Sequence, residues 1–377
     1  MKMLKLPEDL IEEILCRVPA SSVKQLRSTC KGWNSLFNDK RIIRKHCDKA
    51  PKQFMVLMLL SNSFTILPMS IIHLNGTPSV KRKREVGLLD PHHNNSYRFH
   101  ISQVFHCEGL LLCASYKESR FLVWNPLTNQ SRWTQFNKRY TGFTYFFLGY
   151  NEDRKSCNKS YKVLSFDPIS MMSDVVIHDL NSEVSDSCRT IDNDNHPGVP
   201  HIGQSLSLKG NTYWFDKDET KIETWTSCAS PYQCREYENL SVSVVREEKL
   251  SVSIQRGITS KTEIWVTDQN DETKVVSWSK VLVLDLSRDH QITHCGSFLL
   301  DEEKKVVMCC ETRYDPEEEN KSEEMIYIVG EDSKVTELDL GVDITDRYGE
   351  TILNYTPKFG SIEPDGGKIK RCEYVTK

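Results

Sequence analysis

No stretch of this 377-residue chain reaches the ~18 apolar residues that a membrane-crossing helix needs; the longest candidate, Phe54 to Leu60, has seven. A secretory leader is equally hard to place. Glu8, Asp9, Glu12 and Glu13 interrupt the region where such a leader requires an uncharged apolar core. Both absences lead to the expectation of a cytoplasmic or nuclear protein with no membrane partner. Thirteen cysteines are scattered without one C-x-x-C pair, which excludes a regular disulfide framework and the paired-ligand spacing of structural zinc sites. The His-Cys neighbours at 46–47, 106–107 and 294–295 stand alone. A G-x-S-x-G elbow, a Walker A loop, an H-E-x-x-H pair and a kinase signature are all missing. The expectation is a chain with no catalytic residues, no metal ligands and no cofactor.

What is present begins with charge. Hydrophobic residues make up 38% and charged residues 27%, a soluble-globular balance, and the length allows two or three domains. Residues 1–52 hold twelve Lys/Arg against six Asp/Glu, a net of +6, and the rest nets −10, giving the chain its −4. A basic module on an acidic body calls for an acidic partner, either nucleic acid or the acidic face of a protein.

Leu6 to Phe37 organises that module and reads as three short helices. Pro7 suits a first helical position, and the acidic residues after it lie over the positive end of the helix dipole. Leu6, Leu10, Ile14 and Val18 recur every four residues, with Ile11 and Leu15 alongside, so the apolar stripe is wide. Pro19 is expected to end this helix. Ser22 and Gln25 have capping-box spacing for a second, and Cys30, Trp33, Leu36 and Phe37 give the third its apolar face. Lys40 to Lys49 continues as a basic helix that Pro51 stops. Some thirty residues cannot enclose all these side chains, so part of the surface meets a partner or caps the following domain.

The ordered set Leu6-Pro7, Leu10, Ile14-Leu15, Arg17-Val18-Pro19, Ser22-Val23, Leu26-Arg27, Cys30-Lys31, Trp33 and Leu36 resembles the F-box. That resemblance implies docking onto a Skp-type adaptor and, through it, a cullin. The adaptor-binding residues it implies are Leu6, Pro7, Leu10, Ile14, Leu15, Val18, Pro19, Leu26, Cys30 and Trp33.

From Gln53 onward the pattern changes to short apolar strands between polar turns, among them FMVLMLL, GLLLCAS, FLVWNP and KVLVLDL. Ten or more such strands without a strong helix argue for an all-β domain. A four-residue element recurs at Val-Trp-Asn125-Pro126, Ile-His-Asp179-Leu180, Val-Leu-Asp285-Leu286 and Glu-Leu-Asp339-Leu340, with a weaker member at Ile72 to Gly76. Its spacing of about 54 residues is that of propeller blades and predicts roughly six of them. A pair of β-sandwiches is the alternative.

The runs His106 to Cys113, Val123 to Thr128, Leu148 to Tyr150, Ser160 to Leu164, Lys209 to Trp214, Val244 to Leu250, Glu263 to Thr267 and Trp278 to Lys280 are similar to the plant F-box-associated domain, the type 1, kelch-like kind. Two segments depart from it: Ile222 to Glu238 lacks an apolar-aromatic strand, and Asn354 to Phe359 is less apolar than the family's usual ending. The organisation expected is an F-box over 1–50, a linker and first β elements over 51–100, the β-propeller-like domain over 101–365, and a tail over 366–377. Together the two resemblances imply the substrate receptor of a Skp–cullin–F-box ubiquitin ligase, which holds an unknown target protein and makes no bond itself. The competing readings are a propeller interaction module outside any ligase and a basic module binding nucleic acid.

Two charge runs stand apart. Lys81-Arg82-Lys83-Arg84 reads as a solvated loop or a nuclear import signal, and Asp315 to Glu319 with Glu323 and Glu324 reads as a solvated acidic loop.

Overall fold

The computed structural model describes residues 6–51, 53, 55–60, 65–74, 77–90, 97–115, 117–118, 120–135, 144–152, 159–166, 175–180, 188–191, 200–216, 221–224, 228–229, 239–255, 261–268, 277–285, 297–314, 322–344, 352–359 and 374–376.

Four helices come first: α1 (Glu8–Leu15), α2 (Ala20–Thr29), α3 (Lys31–Leu36) and α4 (Lys40–Lys49). The basic stretch is thus a helix of its own, started by Asp39, whose carboxylate accepts from Arg41 N at 2.7 Å. The prolines act differently from the expectation. Pro7 and Pro19 both sit in the extended conformation just before a helix, with φ −51° and −57°. Their carbonyls accept from Ile11 N at 3.1 Å and Ser22 N at 2.9 Å. Pro19 therefore opens α2, α1 having ended at Leu15, and the Ser22–Gln25 capping box does not form because the helix starts before Ser22.

The rest is β. Five four-stranded antiparallel meanders follow one another: β5 (Gln103–Cys107) to β8 (Ser131–Gln135), β9 (Tyr145–Glu152) to β12 (Cys188–Ile191), β13 (Pro200–Leu208) to β16 (Cys228–Ala229), β17 (Asn239–Val245) to β20 (Trp278–Asp285), and β21 (Phe298–Asp301) to β24 (Val335–Ile344). A six-stranded sheet joins the two ends of the domain. In it β1 (Met55–Leu60), β2 (Thr65–Leu74), β3 (Thr77–Arg82) and β4 (Val86–Leu88) are sealed by β25 (Ile352–Tyr355) on one side and β26 (Tyr374–Thr376) on the other. The expectation of about six like blades is corrected to five four-stranded blades and this composite sheet. The stretch 366–377, read as a tail, contains β26.

β5, β9, β13, β17, β21 and β25 each meet the next, and β25 meets β5, so the sheets stand around an axis. Apolar cores fill the gaps between neighbours. Phe105, Leu112 and Phe121 of the first blade pack on Phe147 and Val163 of the second, and Ile264 and Leu284 pack on Phe298 and Val307. Val56 and Met58 of the closing sheet reach Met308 and Ile326, while Leu57 and Leu59 reach Leu111 and Leu122. Within the closing sheet β1 is buried on both faces, as the unbroken MVLMLL run requires.

The recurring Asn/Asp element does not mark one place in every blade. Asn125 follows a third strand, β7 (Arg120–Trp124), and Asp179 ends one, β11 (Val175–Asp179), whereas Asp285 and Asp339 lie in fourth strands and Ile72 in β2. Blades beginning at Gln103, Tyr145, Pro200, Asn239 and Phe298 are unevenly spaced, so a fixed period drifts along them. At Asn125 the turn chemistry is as expected: its Oδ1 accepts from Leu127 N at 2.9 Å and Thr128 N at 3.2 Å. The departing segment after Ile222 still closes its blade, with β15 (Lys221–Thr224) and the two-residue β16. Lys81 and Arg82 end β3 and are not in a loop; Lys81 to Arg84 are all exposed. Asp315 to Glu319 lie outside the described residues, and Glu323 and Glu324 belong to β23 (Ser322–Val329).

Candidate adaptor-docking surface

The wide apolar stripe of α1 divides into two faces. Leu15 is buried, with Ile11 and Val18 half-buried beside it, in a core shared with Val23, Leu26, Trp33, Leu36 and Phe37. Leu6, Leu10 and Ile14 face the other way and are 53%, 47% and 52% exposed. Five large apolar side chains are exposed among the described residues, and three of them form this row. Solitary exposed leucines are ordinary, but a row at helical spacing marks a contact surface.

The other residues expected at the interface sort by burial. Pro7 and Cys30 are exposed; Val18, Pro19, Leu26 and Trp33 are half-buried; Leu15 is inside. Leu15, Leu26 and Trp33 thus hold the helices together, leaving the outward row with Pro7 and Cys30 as accessible surface.

The basic residues of α4 are largely engaged within the module. Arg41 and Lys45 reach Glu12 at 2.5 and 3.5 Å, and Lys49 and Arg17 reach Glu13 at 2.8 and 2.5 Å. The bond from Arg41 holds the Glu12 carboxyl below the usual carboxylate range, and those from Lys49 and Arg17 bring Glu13 down to about 2. His46 is buried, with Nε2 2.9 Å from Val18 O, and burial pushes its pKa down.

Two side chains of the β-domain enter the helical core. Leu127, on the turn after β7, packs against it, and Phe359, just after β25, is buried in it. The Phe359 ring stacks on Phe37 with centroids 6.1 Å apart and meets His46 edge-on at 5.1 Å. Beside it, Lys358 Nζ bridges Glu108 at 3.1 Å and Glu247 at 2.5 Å, and Lys159 adds a second cation to Glu108 at 2.7 Å. Burial opposes the Lys358 charge, yet the two carboxylates outweigh it and raise its pKa.

The F-box domain family matches residues 3–45, and the F-box associated beta propeller domain family matches residues 55–362. The chain belongs to the F-box proteins. Among its Arabidopsis thaliana relatives, the F-box/kelch-repeat protein At3g44120 is 47% identical over 98% of this chain and 100% of its own length. The F-box protein At2g07140 is 46% identical over 98% and 99%, and the F-box protein ETP2 is 46% identical over 97% and 98%. The F-box here therefore consists of α1 to α3 with α4 as a base: Ile42 is fully buried and Cys16 Sγ lies 3.8 Å from its carbonyl. Leu127 and Phe359 fall in runs expected of the β-domain, and their packing into the F-box core is not read from the sequence. No local pattern ties residue 359 to Phe37, and the only available signal was the unusual ending after Asn354.

Proposed function

We propose that this F-box protein is the substrate-recognition subunit of a Skp–cullin–F-box ubiquitin ligase, acting in the cytoplasm or nucleus without chemistry of its own. The observation that carries the reading is the exposed row Leu6, Leu10 and Ile14 on an F-box helix whose inner face is already filled. A Skp-type adaptor covers that row, with Pro7 and Cys30 at its margin, and links the chain to a cullin. The propeller holds the target. Its hairpins between β5 and β6 (Leu110–Ser115) and between β17 and β18 (Lys249–Gln255), carrying Glu108 and Glu247, lie on the side of Phe359 and the F-box. The second strands of four blades end at the opposite face, at Ser115, Phe166, Gln255 and Tyr314, and in this reading that face takes the protein partner. The contribution to ubiquitin transfer is proximity.

The basic N-terminal module is a poor nucleic-acid surface, since Arg17, Arg41, Lys45 and Lys49 are all turned onto Glu12 and Glu13. Co-purification of the full chain with a Skp-type adaptor at moderate salt, beside a Leu10→Ala/Ile14→Ala variant, tests the reading. A one-to-one complex that the variant loses, and that recruits cullin, supports it. A complex that fails to recruit cullin favours an interaction module outside a ligase, and a wild-type chain that stays alone removes the adaptor altogether.

A further inference from the structure

We propose that Phe359, with Leu127 packed against the same core, is a positioning residue for ubiquitin transfer: it locks the angle between the F-box and the propeller, so that the target is presented at a fixed distance from the adaptor. This rests on the ligase reading above and adds what makes the receptor rigid. The propeller follows directly on the F-box, with only five residues between the end of α4 at Lys49 and β1 at Met55. Such a link limits distance but leaves direction open. Direction is set by the far end of the chain.

β25 pairs with β1 in the closing sheet, Tyr355 against Met55. The chain then leaves the sheet through Thr356 and Pro357 to deliver Phe359 into the F-box core, 8% exposed. Tyr355 and Lys358 on this path are held from the propeller side. Tyr355 Oη donates to Gly109 O at 3.3 Å, and Asn125 Nδ2 donates to Lys358 O at 3.0 Å. The Lys358 ammonium is clamped between Glu108 and Glu247, from the first and fourth blades. Phe359 is thereby fixed to three separate parts of the β-domain, while its ring is fixed to Phe37 of α3's end and His46 of α4. A further tie, Gln53 Oε1 accepting from Ser21 N at 2.9 Å, is exposed. The row Leu6, Leu10 and Ile14 belongs to a different face, so the lock and the adaptor surface are separable by mutation.

Small-angle X-ray scattering of the full chain, alone and with the adaptor, reads the lock; adaptor affinity is the control. Phe359→Ala is expected to increase the maximum dimension and broaden the distance distribution, with adaptor Kd changed less than threefold. Phe359→Leu, which keeps the apolar contact, is expected to restore the wild-type curve. Leu127→Ala lies outside the F-box and is expected to give the same change to a smaller degree. A Phe359→Ala curve that overlays the wild type overturns the proposal. So does a Phe359→Ala chain that loses adaptor affinity while Leu127→Ala leaves the curve unchanged, since Phe359 is then only an F-box core residue. If the wild type binds no adaptor, the ligase reading fails, and the scattering of the chain alone still decides the lock.

Discussion

A Cβ placed on Gly109 would lie 2.7 Å from the Lys358 Cβ and 2.8 Å from its backbone nitrogen. The hairpin between β5 and β6 comes this close to the closing segment because its two turn residues, Glu108 and Gly109, both have positive φ, 51° and 78°, as a tight two-residue turn demands. Gly109→Ala meets backbone atoms that cannot swing aside and adds a left-handed strain of roughly 1–2 kcal/mol. The expected outcome is a loss of about 2 kcal/mol or more in urea unfolding. A loss below ~0.5 kcal/mol would show that the closing segment does not rest on this turn.

Leu10 and Ile14 differ from Leu15 in what their removal does. The first two are about half exposed and Leu15 is 3% exposed. Leu10→Ala/Ile14→Ala is expected to leave thermal stability nearly unchanged yet weaken adaptor binding by two decades or more, since each buried aliphatic side chain contributes roughly 1.5–3 kcal/mol at an interface. Leu15→Ala is expected to cost about 2–5 kcal/mol of F-box stability and to affect binding only through that loss. Equal effects of the two variants on melting would mean that the row is core.

This separation was half legible in the sequence. The four-residue spacing of Leu6, Leu10, Ile14 and Val18 and the neighbouring Ile11 and Leu15 gave the helix and its apolar character. Which side faced inward was set by α4, through Ile42 and His46, and by Phe359, over three hundred residues away. The blades were legible for a similar reason and to a similar limit. Short apolar strands and the Glu108-Gly109 and Lys209-Gly210 turns are local signals, but the sheet that closes the ring pairs Met55 with Tyr355, and no local pattern carries a partner that distant. Uneven connections also shifted the Asn125 to Asp339 element from third to fourth strands, so its regular spacing did not follow the blades and gave an imperfect blade count.

His178 predicts how stability depends on pH. Burial against Phe121, 6.0 Å between ring centroids, pushes its pKa from 6.5 to about 4. The unfolded chain takes up this proton below about 6.5 while the folded chain resists until about 4, so stability is complete above the upper value and declines across that window. Melting temperature is expected to fall by roughly 2–4 °C from this group as pH drops from 6.5 to 4.5, allowing for its partial exposure. His178→Gln removes the titration and should flatten that part of the profile. An unchanged slope in the variant would assign the decline to other groups.

Asp90 and Arg120 form the most deeply buried ion pair among the described residues, with side chains 0% and 8% exposed. Asp90 lies just past β4 and Arg120 starts β7, so the pair ties the closing sheet to the first blade. The guanidinium also reaches Glu118 at 2.8 Å and covers the Trp133 ring at 5.6 Å. Breaking a buried pair costs about 3–5 kcal/mol where the remaining charge is left alone. With Asp90 gone the guanidinium keeps Glu118, which sets the expected loss toward the lower end of that range. Glu12 and Arg41 are the contrast: Arg41 is 56% exposed, and exposed pairs contribute at most about 1 kcal/mol. Asp90→Asn is therefore expected to destabilise the propeller severely, and Glu12→Gln hardly at all. The double variant Asp90→Leu/Arg120→Met should be less damaged than Asp90→Asn, because it removes both charges together. Urea unfolding of these three variants, the single Arg120→Met variant and the wild type measures this. If the double variant loses the sum of two independent single losses, Arg120 is held by Glu118 and Trp133 alone, and Asp90 contributes nothing to it.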